Sequence, residues 1–187
     1  MGLPVDSTSE FAYLTRDLQA SAQHWADSTR AGPFFLMHAP PEFHMRYRGV
    51  PGRETTLVAV GFLGTSLIEL LQPTNDAPSI FRDVLEEKGE VFHHIAPNLR
   101  ALSPAEFDAL HASYLAAGLE LVSDCNVAPV GRTAFFDARA TMGIFIELAE
   151  FREGSFDILN RMYDAHIAWD GSRPLRDVAE LFASTVD

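Results

Sequence analysis

The chain is poor in cysteine, poor in basic charge and free of long apolar runs. Cys125 is the sole cysteine among 187 residues. No intrachain disulfide can form, which fits a reducing compartment. The 14 Lys and Arg stand against 26 Asp and Glu, for a net charge of −12. Binding a phosphate backbone needs the opposite balance, so nucleic acid is not an expected partner. No apolar run is long enough to span a bilayer. The polar stretch Met1 to Glu10 lacks the basic n-region and apolar h-region of a signal peptide. The expectation is a soluble, cytoplasmic protein. Also missing are G-x-S-x-G, H-E-x-x-H, a P-loop and G-x-G-x-x-G. Cys125 beside Asp124 reads as an inert thiol, because a neighbouring carboxylate raises a thiol pKa.

What is present is a core-forming composition with acids in unexpected places. Apolar residues make up 47% of the chain and charged residues 21%, which argues for a packed domain over 1–187 and against disorder. Two strand-like runs, Ser66 to Gln72 and Gly143 to Glu150, each hold a carboxylate, Glu69 and Glu147, among apolar residues. An ionised carboxylate is costly to bury unless a partner or a metal takes it. A third run carries His93-His94. Alternation places Leu67, Glu69 and Leu71 on one strand face, Phe145, Glu147 and Ala149 on another, and Phe92, His94 and Ala96 on a third, with His93 opposite. Tolerated charges on wet faces are the plainer explanation of any one of these. The apolar neighbours on all three faces favour a shared metal site instead.

The order of elements repeats. Phe11 to Leu14 reads as a strand, and Asp17 opens a helix with Leu18, Ala22 and Trp25 at helical spacing. Strands are expected at Phe34 to Met37, His44 to Arg48, Thr55 to Phe62 and Ser66 to Leu71. A helix over about Pro78 to Lys88 leads to a second unit. It comprises a strand over Val91 to Ala96, a helix opened by the capping box Ser103-Pro104-Ala105-Glu106, and strands over Leu119 to Val122, Thr133 to Asp137 and Gly143 to Leu148. Glu10 occupies the place in the first unit that His94 holds in the second. A tail with Phe156, Leu159, Tyr163 and Ile167 in a helical stripe, and a last helix opened by Ser172-Arg173-Pro174, is expected to pack on the core or on another subunit.

Tyr13-Leu14-Thr15-Arg16-Asp17-Leu18, Gly32-Pro33-Phe34, Ile68-Glu69-Leu70-Leu71-Gln72-Pro73, Glu87-Lys88-Gly89-Glu90-Val91-Phe92-His93-His94-Ile95-Ala96 and Gly143-Ile144-Phe145-Ile146-Glu147-Leu148 together resemble the vicinal oxygen chelate superfamily. That group includes glyoxalase I, methylmalonyl-CoA epimerase, extradiol dioxygenases and bleomycin-resistance proteins. The stretch from Ile68 to Ala96 is most similar to the epimerase. The resemblance implies an α+β fold of two tandem βαβββ modules, about 10–75 and about 90–150, around a curved-sheet cleft, with a helical tail over about 154–185. It implies one divalent metal ion held by Glu10, Glu69, His94 and Glu147, with Glu147 and Glu69 as the catalytic acids and bases. His94 precedes Ile-Ala as the family's ligand does.

Some residues depart from the family pattern. Glu10 replaces the usual His or Gln. Thr56-Leu57-Val58-Ala59-Val60-Gly61 has no acid where epimerases place a second catalytic Glu. Three carboxylates and one imidazole suit Mg²⁺ or Mn²⁺, with Co²⁺, Ni²⁺ and Zn²⁺ also open. The expected activity is an isomerase or lyase moving a proton next to a carbonyl of a small-molecule substrate, in a homodimer. The alternatives are a metal-free binding protein that stacks its ligand on Tyr47, Phe62 and Phe136, and an extradiol dioxygenase, which needs two histidines. His44, Arg46 and Arg48 form a basic strand face that could hold an anionic group or simply be solvated.

Overall fold

The computed structural model describes residues 8–38, 45–97, 99–127, 131–151 and 155–183. The first unit consists of β1 (Glu10–Leu14), α1 (Leu18–Thr29), β2 (Phe34–Met37), the short hairpin β3 (Arg46–Tyr47) and β4 (Val50–Pro51), β5 (Thr56–Leu63) and β6 (Ser66–Pro73). Helix α2 (Ile80–Lys88) joins it to β7 (Val91–Ala96), α3 (Pro104–Ala116), β8 (Glu120–Val127), β9 (Gly131–Asp137), the single turn α4 (Arg139–Met142) and β10 (Phe145–Ala149). The tail is α5 (Ser155–Ile167), β11 (Leu175–Asp177) and a 3₁₀ turn over Val178–Leu181.

Among the described residues the strands form one curved sheet ordered β11-β2-β5-β6-β1-β7-β10-β9-β8-β3-β4. The two units are visible in that order as β2-β5-β6-β1 and β7-β10-β9-β8, and they meet where β1 and β7 pair antiparallel. The fold is therefore α+β with two βαβββ halves, as the element order predicts.

Local chemistry sets the helices. The Asp17 side chain accepts from Ala20 N at 2.9 Å and caps α1. Ser103 and Glu106 form the reciprocal box that starts α3, with Pro104 in its first turn. Both helices cover the convex face. Leu18 and Ala22 of α1 pack on Phe34, Ala59, Ile68 and Leu70. Phe107 of α3 packs on Ala134, Phe136 and Leu148, with Leu110 and Tyr114 partly buried beside it. Each fully buried Phe34 or Leu70 side chain contributes about 1.5–3 kcal/mol before conformational entropy is subtracted.

The concave face is covered at both ends. At the Leu71 end, Ile80, Phe81, Val84 and Leu85 of α2 pack on Leu14, Leu71, Phe135 and Phe145. At the Leu67 end, Phe156, Leu159, Met162 and Tyr163 of α5 pack on Val60, Phe62, Leu67 and Ala96. Glu69 lies between Leu67 and Leu71 on that face. The tail thus packs on the core of its own chain.

Three expectations need correction. The basic strand does not extend the first unit; β3 pairs antiparallel with β8, at the far end of the sheet. His44 lies outside the described residues, and Arg46 forms an ion pair with Asp124. The segment after Pro174 is not an α-helix. Leu175–Asp177 pairs parallel with β2, because that edge offers unpaired backbone groups, and Pro174 O accepts from Phe34 N at 2.7 Å. In the α5 stripe, Met162 is the fully buried member and Ile167, at 66% exposure, lies outside it.

Candidate metal centre

The four central strands each deliver one donor. Glu10 begins β1, Glu69 is in β6, His94 in β7 and Glu147 in β10. Register brings them together. Ala12 pairs with Glu69 on one side and with His94 on the other, and Phe145 pairs with His94. Ala12 is wholly buried, and its single methyl group leaves the space into which the longer side chains reach. One ligand atom from each of the four lies within 4.8 Å of the others. That is the span of two donors facing one another across an ion at about 2.0–2.6 Å.

The two histidines are not on opposite faces. Pairing of β1 with β7 slips between Ala12 and Tyr13, so that His94 opposes Ala12 while Phe92 opposes Tyr13. His93 is the extra residue of a β-bulge. Phe92 consequently turns to the convex side against Tyr13, with ring centroids 5.1 Å apart, instead of sharing a face with His94. His93 turns to the concave side between Phe81 and Phe145, at 5.2 and 4.8 Å. Its Nδ1 lies 2.8 Å from His94 Nδ1, and its Nε2 lies 3.3 Å from the Ile80 carbonyl oxygen. Strict alternation could not have revealed this; a pair of adjacent histidines inside an apolar strand is the only trace in the sequence.

The electrostatics are those of a site holding too much negative charge for its burial. His94 Nε2 lies 2.9 Å from Glu147 Oε2, 3.5 Å from Glu69 Oε2 and 3.7 Å from Glu10 Oε1. It is buried and makes no hydrogen bond of acceptable geometry. Burial lowers the affinity of His94 for a proton, but Glu10 and Glu147 outweigh it and hold the imidazole up at about 10. Burial raises Glu10 to about 7, with Glu147 adding to the rise and His94 opposing it. Burial, reinforced by Glu10, holds Glu69 well above the usual carboxylate range. Burial, and then His94, push His93 well below its usual value, so it is neutral. Without a cation the cluster therefore keeps protons. A divalent ion would relieve the repulsion and give Nε2 a partner, so the residues fit such an ion. The group could hold a metal through Glu10, Glu69, His94 and Glu147.

Exposure separates the four. His94 and Glu10 side chains keep 0% and 7% of their surface, whereas Glu69 and Glu147 keep 17% and 13%. The open edge of the cluster is the carboxylate pair. Elsewhere, Phe62 and Phe136 are wholly buried under α5 and α3 and are not stacking surfaces. Tyr47 is half-buried and donates to Asp83 Oδ2 at 2.7 Å. The Cys125 thiol is pushed up to about 11, mainly by burial, with Glu147 and Asp124 adding to it.

A curved sheet built from two βαβββ halves is also the fold of the solved structures to which this chain is similar. Within that fold the chain is similar to methylmalonyl-CoA epimerases. The enzyme from Mycobacterium tuberculosis is 17% identical with a TM-score of 0.53, covering 78% of this chain and 88% of its own. A Streptomyces coelicolor epimerase variant in complex with 2-nitronate-propionyl-CoA is 20% identical with a TM-score of 0.53, covering 80% and 97%. A hypothetical protein from Bacillus halodurans is 18% identical with a TM-score of 0.55, covering 77% and 93%. No protein-family model matches the sequence, and no curated protein does.

Proposed function

We propose that the chain is a metal-dependent vicinal oxygen chelate enzyme, an isomerase or lyase that moves a proton next to a carbonyl. The observation that carries this reading is the buried, hydrogen-bond-free Nε2 of His94 among three carboxylates whose oxygens could close on one ion. A divalent cation bound there supplies Lewis-acid polarisation of substrate oxygens. The chain's own residues do the rest. His94 and Glu10 are the buried anchors. Glu69 and Glu147, at the open edge, accept or return the proton, and burial holds Glu69 well above the usual carboxylate range, which makes it the stronger base. Strand β5 brings Val58 and Val60 to this face and no acid, with Val60 directly opposite Glu69. The proton carrier therefore comes from the cluster itself. Neutral His93 accepts from His94 Nδ1–H and donates Nε2–H to Ile80 O, which fixes the tautomer that leaves Nε2 free. Both His93 nitrogens are thus engaged, and the cluster lacks the second histidine of the iron dioxygenase set. The same reading takes a small-molecule substrate and a cytoplasmic homodimer.

The experiment is metal reloading followed by exchange. Stripped protein should take up about one Mn²⁺ or Co²⁺ per chain, and Glu147→Ala should abolish the uptake. With metal added, a panel of acyl-CoAs and 2-oxo or 2-hydroxy acids should include one that gains deuterium at its α-carbon. Folded protein with no divalent affinity would favour the metal-free binding reading. Iron-dependent oxygen uptake with a catechol, and no exchange, would favour the dioxygenase.

A further inference from the structure

Strands β7 and β10 are parallel neighbours, yet only two residue pairs hold them, Phe145 with His94 and Ile146 with Ile95. Beyond Ile95 and Ile146 the two chains part. They meet again at the bridge between Ala101 and Phe151, where Leu102 N donates to Phe151 O at 3.2 Å. A pocket of about 150 Å³ fills the interval. Ala96 and Ala149 stand on its strand walls, Phe151 lies toward its far end, and Leu110 and Tyr114 of α3 form its base. Glu147 is part of its lining and also one of the four clustered donors.

Among the described residues most of those lining this gap are apolar, with Arg100, Tyr114 and Glu147 the exceptions. Arg100 reaches it, but its guanidinium is engaged by Glu106 at 2.9 Å and is not a free anion partner. A cavity of this volume lined by apolar side chains accommodates about six carbon atoms. α2 and α5 cover the two ends of the concave face, so the gap gives a substrate bound at the cluster a place for its hydrocarbon.

We propose that the parting of β7 and β10 is the subsite for a short apolar side chain, of up to about six carbons, on a compound bound at the open edge of the cluster, beside Glu147. The substrate class is then a 2-oxo or 2-hydroxy acid, or its thioester, with a short aliphatic or phenyl substituent. This rests on the reading of the cluster as a metal centre, and the tests separate the two.

With Mn²⁺-loaded protein, binding of 2-oxo acids from pyruvate to 2-oxodecanoate is measured by calorimetry. Affinity should rise about fourfold per added methylene, then level off or reverse near six side-chain carbons. Leu110→Trp, filling the base, and Ala149→Leu, narrowing a wall, should each shorten the chain at which the rise stops, with Mn²⁺ stoichiometry held at one as the check on folding. A flat series, or a rise unaltered in both variants, overturns the subsite. Benzene binding to metal-free protein, followed through the methyl resonances of Leu110 and Leu99, tests the gap without the metal. Saturable shifts that disappear in Leu110→Trp support the subsite even if no Mn²⁺ binds, in which case the metal reading alone fails. No saturable shifts, together with a flat series, removes the proposal while leaving the metal centre standing.

Discussion

The two halves of the sheet share a strand order but not a regularity. In the first, β1 and β6 run parallel through five unbroken pairs, Glu10 with Leu67 to Leu14 with Leu71. In the second, the corresponding strands β7 and β10 hold only two pairs, and β7 carries the bulge at His93. The first half supplies two carboxylates on a rigid frame. The second supplies the imidazole, its tautomer partner and the gap beside Glu147. Regular pairing positions donors; broken pairing makes room and re-aims side chains. The bulge and the gap therefore both lie in the irregular half, while each half contributes two members of the cluster.

The severest way to break the contrast is to enlarge the floor on the regular side. Ala12→Leu forces extra methyl groups between Glu69 and His94. We expect divalent uptake to be lost altogether and stability to fall by about 1–3 kcal/mol, read from Mn²⁺ stoichiometry and urea midpoints. Retained uptake would mean that the donors do not depend on that floor.

A milder intervention touches only the irregular side. His93→Phe keeps the packing between Phe81 and Phe145 but removes the acceptor for His94 Nδ1–H. Divalent affinity should fall about 10–100-fold with little change in the urea midpoint. With diamagnetic Mg²⁺ or Zn²⁺ bound, the ¹⁵N and proton shifts of His94 Nδ1–H should report the loss of its acceptor. His93→Gln, which retains an acceptor, should recover part of the loss. Unchanged shifts would make His93 a packing residue only.

The smallest effect sharpens the comparison by separating the halves on the pH axis. Glu10 rises in the folded protein from 4.5 to about 7, so the folded state binds the extra proton. Its contribution is present below about 4.5 and is lost as pH climbs to about 7. His94 rises from 6.5 to about 10, and its contribution is lost over that higher window. The melting temperature of metal-free protein should drift down through the upper window, while in the lower one the Glu10 loss is offset by His93, whose neutral burial favours folding increasingly up to about 6.5. Glu10→Gln should remove that loss from the lower window, and His94→Gln should flatten the upper. Loading Mn²⁺ should raise the melting temperature most at high pH, where protons no longer compete. A metal-free profile that rises between about 6.5 and 10 would contradict the assignment.

Much of this was legible in the sequence because it rests on short-range chemistry. The span Val91 to Ala96, the capping box at Ser103 and the clustering of Glu10, Glu69, His94 and Glu147 follow from alternation, caps and the resemblance of local motifs. What escaped depends on pairing between distant segments. Nothing in Phe92-His93-His94 announces a bulge, since the slip arises from its fit to Ala12 and Tyr13. Arg46-Tyr47 reads as a strand but does not say which edge it will take, and Leu175 to Asp177 became a strand only because β2 had an open side. The importance of Ala12 is invisible until its partners are known.

The hairpin formed by β3 and β4 has one more consequence, for the edge of the sheet rather than for chemistry. Arg46 pairs with Asp124, 78 positions later. The outer edge of β8 is thereby covered at Ser123 and Asp124 by a strand of the same chain, and at those positions it offers no open template to a second molecule.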